Sequence, residues 1–205
     1  MDLTLTSLWE WTKLTVRAPA TASALVKAAK LPLGVSMMMI ALAGIVSGLS
    51  SGILDYLSGA PPVEFLLADG QTVMFDRSGP LAQGIYAVGT GLALGFAIFQ
   101  VGKRMGGQGG LADIMAVTAV LQLVMMVILL AQTLALLFMP LLGFGLLVFG
   151  LYVFFRGLGH AVNIGHSFNS LGTSTGVIAL SFVALVILAF LVVSVLGIGP
   201  VGVLK

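Results

Sequence analysis

The apolar run over residues 111–136 contains one aspartate and no other charged side chain. No other stretch restricts so tightly what the chain can become. About 20 apolar residues suffice for a helix to cross the hydrocarbon of a bilayer, and this run has more. Four further stretches, 33–54, 81–101, 139–159 and 175–196, are of the same kind. Lipid offers backbone N–H and C=O groups no partner, so each stretch must be helical. The third and fourth are almost continuous, and Pro140 without a nearby charge predicts a tight hairpin turn over 137–140. Composition excludes the soluble alternative. Nine Lys and Arg with seven Asp and Glu make 8% of the chain, against about 25% in ordinary soluble domains, too few to clothe a soluble globule. The fold class is all-α: a polytopic membrane bundle of five transmembrane helices.

The cations give an orientation. Lys13, Arg17, Lys27 and Lys30 precede the first stretch, Lys103 and Arg104 separate the second from the third, and Arg156 lies near the end of the fourth. Alternation across five spans puts these seven on one face and leaves Arg77 and Lys205 on the other. There the 55–80 loop adds Asp55, Glu64, Asp69 and Asp76. The positive-inside rule then predicts a cytoplasmic N-terminus and an external C-terminus.

Two parts follow: an amphipathic segment over 1–31 and a five-span membrane domain over 32–199. The first apolar run is longer than a signal-peptide core, so the segment before it is expected to be retained. Ser7 and Glu10 fit a capping box. Glu10, Lys13 and Arg17 form a charged ridge opposite apolar Leu8, Trp9 and Leu14. This predicts that 5–30 is mostly helical and lies along the cytoplasmic interface, either packed under the bundle or serving as a partner-binding or lipid-sensing segment. In the external loop, Asp69-Gly70 between two β-prone runs predicts a small hairpin over the external mouth.

The chemistry turns on "GKRMGGQGGLAD", Gly102 to Asp113, with its five glycines. A phosphate-binding P-loop needs Gly-Lys-Ser/Thr at its end, whereas here Lys103 precedes the glycines and no Ser or Thr follows. His160 and His166 are the two histidines, cysteine is absent, and a six-residue spacing does not put both on one helix face, which argues against a metal site. Nothing in the spacing calls for a Ser-His-Asp triad. A net charge of +2 gives no reason to expect nucleic acid, and no cofactor is implied.

A polar set at one depth remains: Asp113 at the start of the third span, Arg156, His160 and Asn163 at the end of the fourth. Gln122 lies deeper, where interhelical hydrogen bonding is the ordinary use of an amide. Asp113 fits the first turn of a helix that starts near Gly110. The hairpin also puts it level with residues 156–163, which predicts a pair with Arg156 or His160 that relieves the desolvation of both.

At these residues a resemblance arises. The segment from Gly106 to Gly143, with the glycine turn Gly106, Gly107, Gly109 and Gly110 and the element Leu121-Gln122-Leu123, resembles spans three and four of the Yip domain family, named for Rab-GTPase-interacting membrane proteins. "HSFNSL", with His166, Phe168 and Ser170, is similar to the family's His-Gly-Phe-x-Ser-Leu segment before its last span. Ser167 stands where the family has glycine, and the acidic residue common before the histidine is missing. The resemblance implies an integral membrane protein without a known catalytic residue. Eukaryotic members are tied to vesicle traffic and Rab partners through a long cytoplasmic N-terminal region; the short amphipathic segment here suits a bacterial inner-membrane member.

The expected function is a non-enzymatic scaffold or accessory subunit in membrane organisation or membrane-protein assembly. Its partners would be the lipid bilayer and other membrane proteins or further copies of itself. The alternative is a small lipid- or solute-handling transporter with Gln122 on its route. A polar cavity reaching Gln122 would favour transport, and a dry bundle the scaffold.

Overall fold

The computed structural model describes residues 4–59, 61–66, 72–75 and 78–196. Its order is α1 (Leu5–Arg17), α2 (Pro19–Ala28), α3 (Leu33–Leu57), β1 (Val63–Leu66), β2 (Thr72–Phe75), α4 (Pro80–Arg104), α5 (Leu111–Phe138), α6 (Pro140–His166) and α7 (Leu171–Leu196). Among the described residues the fold is seven helices, of which α3, α4, α5, α6 and α7 are long and apolar enough to cross a membrane. The fourth span runs seven residues beyond its expected end, and the fifth begins four residues early. His160 and Asn163, beyond the expected end, are thus helical positions, as Arg156 is.

β1 and β2 pair antiparallel, Val63 opposite Phe75 and Leu66 opposite Thr72. Neither packs on any described helix. The expected small hairpin is thus present between α3 and α4, and the spans themselves are all helical. Asp69-Gly70 lies outside the described residues, as do Asp76, Arg77 and Lys205.

α5 is the hub. Every residue from Ile114 to Leu121 is buried, because α1, α2, α3, α4 and α6 all pack on it; a helix apolar on all sides belongs in such a place. Val117, Ala119 and Val120 join Met39, Ile40 and Ala43 of α3 in one cluster. Ile114 and Leu121 join Ile98, Leu158 and Val177 in a second. α3 and α4 meet through glycine. Gly44, Gly48 and Gly52 recur every four residues and face Val88, Gly84 and Pro80; a Cβ on Gly44 would lie 2.7 Å from the Val88 nitrogen. In lipid, where apolar burial between helices gains little, such backbone approach is a main source of packing.

α1 begins at Leu5, the expected start, but its cap is not the expected one. Thr4 is the N-cap: its Oγ1 accepts from the Ser7 N–H at 3.2 Å, and Ser7 Oγ accepts from the Thr4 N–H at 3.0 Å. The capping box is Thr4–Ser7 and not Ser7–Glu10. Ser7 is already inside the helix, and Glu10 instead pairs with Lys13 at 2.6 Å. Nor does α1 lie at the end of the bundle. Val16 packs by Val124 and Ile128, roughly 20–25 Å along α5 at 1.5 Å per residue, and by Val153 of α6. α1 runs beside the α5–α6 hairpin, while Lys27 of α2 reaches the α6 terminus.

Candidate functional site

The glycine stretch closes one end of the bundle, the end that carries Lys27, Lys30, Lys103 and Arg104. α4 stops in a Schellman arrangement: Gly106 takes φ +87°, its N–H donates to Lys103 O at 3.2 Å, and the Gly107 N–H donates to Gly102 O at 2.8 Å. A left-handed residue ends the helix while satisfying its last carbonyls, and glycine adopts that conformation without steric cost. The turn then crosses to α6, where the Gln108 N–H donates to His166 O at 2.8 Å. Gly109 lies so close to the α6 terminus that a Cβ there would come within 2.9 Å of the Gly165 carbonyl carbon. Gly110 is the N-cap of α5, and its N–H donates to Asp113 Oδ2 at 3.0 Å.

His166 is what this turn wraps. Its ring is fully buried, with Nε2 3.1 Å from Ile98 O of α4. A carbonyl can only accept, so Nε2 carries the proton. Nδ1 is buried and has no hydrogen-bond partner among the described residues. Gly102 and Gly107 press on the ring, and a Cβ on either would strike it. The Phe168 ring lies 5.2 Å away at 33°. The histidine is a buried wedge joining α4, the glycine turn and the end of α6.

The α6 terminus has a second support. Lys27 of α2 donates from Nζ to Ile164 O at 2.8 Å, Gly165 O at 3.1 Å and Ser167 Oγ at 2.7 Å. An ammonium on the last carbonyls also suits the negative end of the helix dipole. Ser167 itself is left-handed, with φ +56°. The glycine usual at that position would adopt it freely; the serine gains the Lys27 bond instead. The Asn163 amide faces Phe168 O at 3.0 Å, Ser170 O at 3.2 Å and the Ser174 hydroxyl at 3.3 Å, so its nitrogen points there and ties α6 to the start of α7. Ser170 Oγ accepts from the Gly172 N–H at 3.1 Å.

The expected polar set is therefore divided. Asp113 and Asn163 do line one bay, of about 630 Å³, together with Lys27, Lys30, Ser167 and Asn169. The expected pair of Asp113 with Arg156 or His160 is not formed. The ion pair between described residues is Lys13–Glu10, and Asp113 serves its own helix start. Arg156 Nη1 donates to Val16 O at 2.7 Å, with its guanidinium 5.9 Å from the Tyr152 ring. His160 makes no hydrogen bond with a described residue. Gln122 Nε2 donates to Gly91 O of α4 at 3.3 Å on the floor of a cleft of about 490 Å³ whose other walls include Leu94, Met125, Phe154 and Phe182. Ser47 and Thr90 are the other polar side chains of a cleft that is otherwise apolar. Sequence reasoning missed Lys27, because nothing local to "ALVKAAK" shows that it reaches residues 164–167, and it missed Ile98 and Gly102 as the seat of His166.

These features define a polytopic helical membrane protein whose polar positions join helix ends. Residues 13–194 match the Yip1 domain model, and the chain belongs to that family. No curated protein and no solved structure matches it.

Proposed function

We propose that the protein is a non-enzymatic scaffold or accessory subunit that organises the membrane or the proteins in it. The observation behind this reading is how the candidate polar groups are used. Lys27 holds the end of α6, Arg156 the backbone of α1, Gln122 that of α4, Asn163 the α6–α7 link, and Asp113 its own helix start. His160 is the exception, without a hydrogen bond to a described residue; the others each join a helix end or a helix backbone, which supports a structural use. Most of α6 before Arg156 and most of α7 beyond Ser181 instead turn large apolar side chains outward, which supplies broad surface for lipid or for other spans. The polar cluster acts structurally in this reading. The orientation it adopts is N-terminus cytoplasmic and C-terminus external, in a bacterial inner membrane.

Purification in mild detergent, followed by mass spectrometry of what remains bound, tests the proposal. It expects specific membrane proteins or further copies of the chain at fixed stoichiometry. A monomer without bound protein, combined with lipid or solute flux in proteoliposomes, would replace it with the transporter.

A further inference from the structure

The charged ridge of α1 lies beside the middle of the α5–α6 hairpin rather than beyond its end. Between them runs a groove of about 400 Å³, with Trp9, Lys13 and Arg17 on one bank and Ile128, Ala131 and Phe149 on the other. The banks differ in chemistry: one carries two cations and an indole, the other hydrocarbon alone. Lys13 is held by Glu10, while the Arg17 guanidinium makes no hydrogen bond or ion pair with any described residue. The Arg17 side chain is exposed, and a guanidinium that faces a bilayer is costly unless it finds an anion or water.

We propose that this groove binds a phospholipid of net negative charge from the surrounding leaflet. Its phosphate oxygens accept from the Arg17 fork and from Lys13, and one acyl chain lies along Ile128, Ala131 and Phe149. Phosphate presents paired oxygens that match a guanidinium, and Trp9 has the ring and N–H suited to the boundary between headgroup and chain. A zwitterionic headgroup fits less well. Its own cation would meet Lys13 and Arg17, and the nearby carboxylate, Glu10, is already taken. The bilayer supplies a ligand that is both anionic and oily, and the groove needs no path from water. The inference rests on the chain being embedded in a membrane and is independent of the scaffold role.

The test is native mass spectrometry of the full chain released from nanodiscs of equal phosphatidylglycerol and phosphatidylcholine. Wild type is expected to retain phosphatidylglycerol over phosphatidylcholine by roughly thirty-fold, the scale set by two basic residues at a lipid surface at about 1 kcal/mol each. Lys13→Gln with Arg17→Gln should bring the ratio towards parity. Ala131→Phe, which fills the groove and keeps the charges, should lower retention of the anionic lipid. Lys103→Gln with Arg104→Gln removes the same charge at the end of the bundle and should leave the preference intact. Equal retention of the two lipids by wild type overturns the proposal whatever the variants do, and so does an equal loss of preference in the two double variants.

Discussion

At the scale of single residues, Ser167 shows how a departure from a family pattern is accommodated. A left-handed backbone costs a non-glycine residue roughly 1–2 kcal/mol, and the bond from Lys27 offsets part of that. Ser167→Ala keeps the strained φ and loses the bond, so its melting in detergent should fall below wild type by the equivalent of about 1 kcal/mol. Ser167→Gly loses the bond but relieves the strain, so it should melt above the alanine variant. An alanine variant as stable as wild type would show that the Lys27 contact contributes nothing. Asp113 was legible as a helix-start residue because Gly110 and Asp113 have capping spacing. Its depth beside Asn163 was legible too, from equal distances to the hairpin turn. The level of Arg156 was not: Gly157 sits against Leu121 and Gly165 against Ile114, so Arg156 lies roughly two helical turns or more from Asp113 and meets Val16 instead. The burial of His166 is equally invisible from its neighbours in the chain: its seat, Ile98 and Gly102, is more than sixty residues away.

At the scale of elements, length and hydropathy revealed the five spans because lipid leaves the backbone no alternative to the helix. Their contacts were harder to read. The stripe Gly44, Gly48, Gly52 has the spacing of a close helix–helix seam, and attention to apolar runs alone passes over it. The stripe makes a contrast in sign testable. Gly48→Ala forces a methyl into the backbone of α4 and should destabilise by about 1–3 kcal/mol. Gly34→Ala, in the same helix but facing open space, should be neutral or stabilising by up to about 1 kcal/mol through helix propensity. Thermal melts of the two variants check this, and equal losses would mean that helix propensity rather than the seam governs both. The placement of α1 had no sequence signal beyond its amphipathic ridge. Such a ridge suits a water interface and a polar groove alike, and only the packing of Val16 separates them.

At the scale of the molecule, the bundle is locked at the end where α4, α5 and α6 meet the glycine turn, and the proposed orientation puts that end in the cytoplasm. The chain has no cysteine, so single substitutions report sidedness directly. Lys103→Cys should react with an impermeant thiol reagent only from the cytoplasmic side, and Leu57→Cys only from the outside. Labelling of both from one side would refute the alternating five-span arrangement. The central claim is that the polar and glycine positions of this end hold the helices together instead of carrying out a reaction. It is tested most directly by a double-mutant cycle of Gly102→Ala with His166→Ala, read by thermal melting in detergent. Gly102→Ala alone should cost about 1–3 kcal/mol, because its methyl strikes the imidazole. His166→Ala alone should cost a few kcal/mol through the cavity it leaves, on the scale of about 2–5 kcal/mol for large-to-small core changes. With the ring gone the methyl has room, so the double variant should be more stable than the sum by at least about 1 kcal/mol. Strict additivity would contradict the account, since it would mean that the glycine turn does not close on His166.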